Sequence, residues 1–445
     1  MKRIYITLLS ISLCISATAQ QSLSVSEALE ICLANNLQLK YQAKQVQISE
    51  NNNNWANAGR SPKVEVNLSN ISGVRKSNNP ANLFLPEVLS YDNNTSGGID
   101  MSLVLFNGGL IKYNKANLEL LDEQAKLNLK ISIEDLTEQL MLAYYQILLV
   151  EEQQVVLGNV KQLSKDRLDF QELKREYGAA STFDVLQAKD AYLNDSISTV
   201  QLDNQLLALY NNLKLIMGVY GSDMTFSLSD KLETIIPLLE KDALEERMLA
   251  NNTELLNLRL SDEIRANAIN IEKASLKPSI GLGLGLNGSL GNNYVDANIP
   301  NTNDLIGSIM STDINPFLGF TASYTIFDGG VRKTRISNAE IQYNANKDLL
   351  RNAEQRVSTQ FDNTYLQMQS NVRIVEMSEQ QLKNAAQNID IAKDRFENGL
   401  ISSFDYRSIQ LAYLNASQRL LEARFELVNS QIGLLNLTGG LYSMN

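Results

Sequence analysis

Two aspartates in repeated surroundings are the residues of this chain best placed to do chemistry. Asp184 follows Gly178 and Ser181, and Asp405 follows Gly399 and Ser402, with the same spacing in both places. A carboxylate just beyond a tight turn has two uses. It can complete a capping box begun by the serine three residues earlier, or, repeated around a symmetric opening, it can focus negative field at a narrow entrance and select cations. Capping is the preferred reading for Asp184, and both readings stand for Asp405. Little other chemistry is available. The chain has no His, which removes most nucleophile triads, zinc sites and imidazole acid–base steps. Glu151-Glu152 is an acidic pair on a long solvated helix, and paired carboxylates hydrolyse nothing without a cleft. No catalytic residue, cofactor or metal is assigned.

The elements that carry these aspartates are long. From Val331 to Asn398 there is neither Pro nor Gly, and Phe361, Met368, Val375, Leu382, Ile389 and Phe396 recur every seven residues, the spacing of a seam between packed helices. A helix over those 68 residues would reach roughly 100 Å, several times a small domain's diameter. Gly399 suits a left-handed helix stop, and Ser402 to Asp405 opens a returning helix. The result is a helical hairpin with a tight tip. An earlier rod from Leu110 to Tyr177 carries Leu142, Leu149, Val156, Leu163, Phe170 and Tyr177 at the same spacing, interrupted by Gly158. Measured from the tip glycine, its stripe lies two residues out of phase with the later one. The returning helices agree in phase, with Leu193, Val200 and Leu207 matching Leu414, Leu421 and Val428.

The whole chain is written twice. Ala28-Leu29-Glu30 returns as Ala243-Leu244-Glu245, and Leu33-Ala34-Asn35-Asn36 as Leu249-Ala250-Asn251-Asn252. Pro62 returns as Pro278, and Phe106-Asn107-Gly108-Gly109 as Phe327-Asp328-Gly329-Gly330. The last pair and the tips share an offset of 221, so no residue is gained or lost along the rods. Each copy opens with a helix; the first begins at a capping box, Ser24 to Glu27, and runs to about Ala58, which makes Trp55 a late helical packing residue. Alternating apolar and polar residues then predict strands over 63–74 and 97–106 in the first copy, and 279–290 and 317–327 in the second. Pro80, Pro86 and Pro300 mark the loops between them. Gly108, Gly109, Gly329 and Gly330 are swivels from strand to rod. Tyr91, Tyr294, Phe317, Phe320 and Phe327 stand near strand ends, where an interfacial girdle would lie, with scattered barrel aromatics as the alternative. Four such strands cannot close a barrel, and three chains would supply twelve.

The start of the chain reads as an address. Lys2 and Arg3, the apolar run Ile4–Ile15 and Ala17-Thr18-Ala19 form a secretory leader over 1–19. Its loss leaves Cys32 alone, hence no internal disulfide and no cysteine metal cluster, and shifts the formal charge from -11 to -13. That balance argues against nucleic acid and for an acidic surface or lumen. Beyond the leader no run of eighteen apolar residues occurs, so any bilayer crossing must use strands. The layout is therefore leader 1–19, first repeat 20–218, connector 219–238 and second repeat 239–445.

The leader, the duplicated cassette, the Ala-Leu-Glu and Leu-Ala-Asn-Asn openings and the Phe-(Asn/Asp)-Gly-Gly swivels together resemble the TolC family of outer-membrane efflux proteins. The resemblance covers the chain from about Leu23 to Leu437. It implies a mainly α protein with a transmembrane β-barrel: a homotrimer with a twelve-stranded barrel in outer-membrane lipid and a tunnel of α-helices across the periplasm. It also implies partners, a periplasmic adaptor at the tunnel tip and an inner-membrane pump of the RND or ABC type. By position the adaptor contact falls on Gly178, Ser181, Gly399 and Ser402, and the constriction on Asp184 and Asp405. Three departures stand out. The proline many members carry after the double Asn is Leu37 and Thr253 here, a second acidic position one turn after Asp405 is Ser408, and an Arg two residues after the tip glycine is Ile401. A secreted coiled-coil scaffold without a channel is the alternative, and four membrane-length strands would be of no use to it.

Overall fold

The computed structural model describes residues 21–78, 87–221, 226–232, 240–298 and 305–440. The leader, Pro80, Pro86 and Pro300 lie outside them. The chain divides into two compact units, one holding residues up to Tyr41, Lys130–Asn252 and those from Arg356 on, the other Gln42–Leu129 and Thr253–Gln355.

The second unit holds a four-stranded antiparallel sheet, β2 (Lys63–Asn78), β3 (Glu87–Asn107), β5 (Ser279–Asn298) and β6 (Leu305–Ser323), in the order β2-β3-β5-β6. Its register shows why each strand alternates. Val64 faces Met101, which faces Leu284, which faces Leu318, and the row Val66, Ile99, Leu286 and Pro316 lies beside it. Between these rows Glu65, Asp100, Gly285 and Phe317 are in register, as are Ser69, Ser96, Ser289 and Asp313. Directly opposed residues share a face, so the lower sheet has one mainly apolar and one mainly polar side. A slip of one residue in any strand would mix them. Every residue of β2 is exposed in the lone chain, and β2 and β6 are both free edges.

The strands differ from their sequence-based bounds in two ways. All four extend further toward the loops, because the alternation fades while the backbone ladder continues through polar pairs such as Ser72↔Asn93 and Asn93↔Asn292. The return strand of the second copy stops at Ser323, so Tyr324, Ile326 and the expected girdle residue Phe327 fall beyond it. Tyr91 and Tyr294 are opposed in register with rings 5.9 Å apart.

The opening helix also departs from expectation. It is split into α1 (Val25–Asn35) and α2 (Leu37–Asn52), and its counterpart into α5 (Lys241–Asn251) and α6 (Thr253–Ala274). The break sits at the second Asn of each pair, with φ -59, ψ 124 at Asn36 and φ -57, ψ 121 at Asn252. Asn36 serves both pieces: its N–H donates to Cys32 O (2.9 Å), and its Oδ1 accepts from the N–H groups of Gln38 (2.9 Å) and Leu39 (3.1 Å). Leu37 and Thr253 therefore occupy the first helical position, where proline is favoured but not required. Because α2 ends at Asn52, Trp55 lies in the turn that follows rather than in a helix, and it is 45% exposed.

The Asn pair also fastens each copy to its own return helix. Asn36 Nδ2 donates to Ile216 O (2.9 Å), and Asn252 Nδ2 to Leu437 O (3.1 Å). Gly218 and Gly439, which follow those carbonyls at φ 73 and 62, lie against the Asn35 and Asn251 backbone, so that a Cβ would come within 2.8 and 2.6 Å of it. The connector is pinned as well. β1 (Gln21–Leu23) pairs in parallel with β4 (Phe226–Leu228), Tyr144 OH donates to Leu23 O (2.6 Å), and Val25 N–H donates to Asp230 Oδ2 (2.7 Å). Here lies the main core, built from Ala28, Cys32, Leu140, Tyr144, Ile147, Leu213, Met217, Leu421, Val428 and Ile432. Burial pushes the Cys32 thiol up to about 11, leaving it inert.

The rods match in length as expected. α3 (Leu110–Glu176) and α7 (Val331–Glu397) each have 67 residues, and α4 (Thr182–Ile216) and α8 (Ser403–Leu437) each have 35. Gly158 does not interrupt α3. The apparent phase difference between the rods resolves into two faces. Leu140, Ile147 and Leu168 are buried like their equivalents Phe361, Met368 and Ile389, and so are Val150 and Leu157 like Asn371 and Ser378. The deepest positions of both rods are thus in phase. The visible stripe of α3 is an adjacent, mostly half-buried face, and at its far end Leu163 and Phe170 pack on Ile389, Ala392, Phe396 and Tyr406 of the other hairpin. Tyr177, the last member of that stripe, is 81% exposed.

The return helices reverse the expectation of equal seams. Leu421 and Val428 are buried, whereas Leu193, Val200 and Leu207 of α4 are 46%, 59% and 63% exposed. Sequence periodicity marks an apolar face without saying whether the same chain covers it. Here α8 packs into the core and α4 keeps its stripe outside.

Candidate functional site

The two tips are built alike. At the first, Gly178 N–H donates to Arg175 O (2.9 Å) and Ala179 N–H to Lys174 O (2.7 Å); at the second, Gly399 N–H donates to Phe396 O (3.0 Å) and Leu400 N–H to Arg395 O (2.8 Å). These are the paired bonds of a Schellman stop, which needs its glycine at positive φ, and the angles are 73 at Gly178 and 70 at Gly399. Each return helix then starts in a complete capping box. Ser181 Oγ donates to Asp184 Oδ2 (2.7 Å) and accepts from Asp184 N–H (3.2 Å); Ser402 and Asp405 repeat this at 2.7 and 3.1 Å. The bonds from Ser181 hold the Asp184 carboxyl below its ordinary value. Asp184 is half-buried and Asp405 exposed. The structure thus brings Gly178, Ser181 and Asp184 together at one tip, and Gly399, Ser402 and Asp405 at the other.

Beside the tips lies a polar cluster with no clear sequence signal. Asp195 of α4 is buried, and Arg407 of α8 grips it in bidentate fashion, Nη2 to Oδ1 at 2.7 Å and Nη1 to Oδ2 at 2.8 Å. Ser164 Oγ of α3 donates to the same carboxylate and accepts from Arg407 Nη1 (2.9 Å). Arg167, also on α3 and 1% exposed, donates to Ser403 O (3.0 Å). Burial, with Arg407 nearby, pulls its guanidinium down to about 10. Two arginines therefore tie the first hairpin to the second just behind the tips. A single charged residue at one heptad position reads as solvated surface, so only the folded arrangement exposes this pairing.

The strand-to-rod junctions differ in detail. Gly108, Gly109, Gly329 and Gly330 all take positive φ, at 72, 93, 68 and 89. Gly108 is pressed against the end of α6, where a Cβ would fall 2.3 Å from Ala274 O, while Gly329 and Gly330 have open space around them. Asp328 caps the second junction, accepting from the N–H groups of Gly330 (3.1 Å) and Arg332 (3.0 Å) and from Arg332 Nε (2.8 Å); Asn107 accepts from Ile111 N–H (3.3 Å) at the first.

An open-edged sheet with one apolar side, joined twice to paired long helices with glycine tips, defines the architecture of an outer-membrane channel. Solved channels share it: CmeC of Campylobacter jejuni at a TM-score of 0.74 and 14% identity, over 94% of this chain and 85% of that one. CusC follows at 0.72 and 16%, over 94% and 92%, and VceC of Vibrio cholerae at 0.71 and 14%, over 94% and 96%. No curated protein matches the sequence. The chain belongs to the outer membrane efflux protein family, whose model matches it twice, at residues 28–219 and 244–440. It is an outer-membrane efflux channel protein that extends into the periplasm.

Proposed function

We propose that three copies of this chain form the exit duct of a tripartite efflux or type I secretion system. The observation that carries the reading is the sheet, with full-length free edges at β2 and β6 and an apolar side left uncovered in the lone chain. Unpaired N–H and C=O groups are not tolerated in hydrocarbon, so those edges must be joined by further copies, and three chains give a twelve-stranded barrel. The rods line the onward passage. A periplasmic adaptor docks at the tips around Gly178, Ser181, Gly399 and Ser402, and an inner-membrane pump of the RND or ABC type supplies the energy. The duct itself catalyses no reaction and holds no cofactor.

In this arrangement three copies of Asp405 stand around the entrance, with Asp184 behind them as a capping residue. Widening the entrance requires the Arg407–Asp195 and Arg167–Ser403 ties to yield, so these hold the resting tip. Reconstitution in planar bilayers tests the reading: the purified protein is expected to be trimeric and to conduct ions with a cation preference that Asp405→Asn lowers. A monomeric, non-conducting product would contradict it, and unchanged selectivity in Asp405→Asn would leave Asp405 with capping alone.

A further inference from the structure

The charge of this protein is unevenly placed. Acids outnumber bases by 50 to 39, yet the four segments joining helix to strand, residues 53–63, 107–117, 270–279 and 324–335, hold nine Lys and Arg against two acids, Glu272 and Asp328. Arg60, Lys112, Lys277, Lys333 and Arg335 are exposed there, and none forms an ion pair among the described residues. Trp55 lies among them, with the Arg60 guanidinium 5.1 Å and the Lys115 ammonium 5.9 Å from its ring centre. α3 and α7 begin in this zone with no acid in their first turns, although the helix dipole there favours acids. Lys112, Lys333 and Arg335 therefore work against the helices they sit on.

Their position supplies the reason. Arg60 precedes the apolar row that starts at Val64 by four residues, Lys277 precedes Ile280 by three, and Lys112 follows Phe106 by six. They flank the apolar side of the sheet at the end where the helices begin. The chain is an outer-membrane efflux channel protein that extends into the periplasm, so the end of the sheet where the helices begin faces the periplasm. Cations just outside an apolar band, with a half-exposed Trp between them, match the phosphate level of a leaflet. We propose that the helix-to-strand junctions form a collar that binds the phosphate headgroups of anionic phospholipids in the periplasm-facing leaflet of the outer membrane.

The full chain, purified in detergent, is titrated with fluorescent phosphatidylglycerol and phosphatidylcholine, and with inorganic phosphate as competitor. Phosphatidylglycerol is expected to bind more tightly, by a margin that shrinks with added salt. Each of Arg60→Gln, Lys112→Gln, Lys277→Gln, Lys333→Gln and Arg335→Gln is expected to cut the preference about fivefold. A matched variant with Gln at Lys189, Arg373, Lys383, Lys393 and Arg419, exposed cations of the hairpins, is expected to keep it. Equal binding of the two lipids by the unaltered protein overturns the proposal, as does a preference that survives molar salt or is lost equally in the hairpin variant. Complete displacement of lipid by inorganic phosphate would make the site one for free anions. If the collar variants shift ion selectivity in bilayers and leave lipid preference intact, the cations face the lumen and the proposal fails.

Discussion

The two hairpins of this chain have identical lengths, the same glycine stops and the same capping boxes, yet they bury different surfaces. α8 sinks Leu421, Val428 and Ile432 into the core, while the equivalent stripe of α4 stays exposed. The polar tie is also one-sided, since Asp195 belongs to the first copy and Arg407 to the second. Geometry at the tips has been kept in both copies, where equal length brings both to the same level. Burial has not: α4 buries only a few positions, such as Ala188, Asp195 and Leu213, where α8 buries most of one face. The exposed α4 stripe is the face that a neighbouring copy would cover in the proposed trimer.

The largest effect should come from breaking the tie. Asp195→Ala leaves the largely covered Arg407 without its partner and is expected to cost about 3 kcal/mol, seen as a lower unfolding midpoint together with a raised open-channel conductance. A variant that melts normally and conducts normally would remove the tie from the account. Next, the contrast between return helices predicts that Leu421→Ala costs about 2–5 kcal/mol, while Val200→Ala at the equivalent exposed position leaves the lone chain within about 0.5 kcal/mol and weakens only the association of copies. Equal losses in dissociated protein would show that the two faces are not different after all.

A finer contrast separates the glycines. Gly399→Ala pays only for a left-handed residue, about 1–2 kcal/mol, whereas Gly439→Ala adds the collision with Asn251; denaturant midpoints should rank Gly439→Ala well below Gly399→Ala. The smallest effect concerns the caps, where Ser181→Ala and Ser402→Ala should each cost about 1 kcal/mol. At the first tip the effect also has a pH signature. Because folding lowers the Asp184 pKa, its contribution is present above the ordinary carboxylate value and is lost as pH falls through the lowered one. Amide-exchange protection in the first turn of α4, taken relative to the intrinsic rate at each pH, should therefore fall below about pH 4. Titration of Asp184 at or above its ordinary value would refute this.

Much of the architecture was legible in the sequence because it rests on local rules. The rods, the tips and the capping boxes follow from missing Pro and Gly, a single Gly, and Ser three residues before Asp. The strand faces follow from alternation around Val64, Val66 and Leu68. What escaped depends on three-dimensional company. The helix break at Asn36 is invisible to periodicity, since Asn there acts as both stop and start. The true seam of α3 contains Ser164 and Gln171, so an apolar search finds its neighbouring face instead. The buried Asp195–Arg407 pair comes from residues over two hundred positions apart, and Trp55 took its surroundings from a turn that looked helical.

The order of the strands has a consequence for how the protein reaches its place. A β6 edge meeting the β2 edge of the next copy continues the same antiparallel alternation, so a joint between chains is made like a joint within one. A chain that entered the bilayer alone would leave two ladders of peptide groups in hydrocarbon, each group costing several kcal/mol. Entry and association are therefore expected to be a single event, and the recovery of inserted, unassociated chains would contradict that.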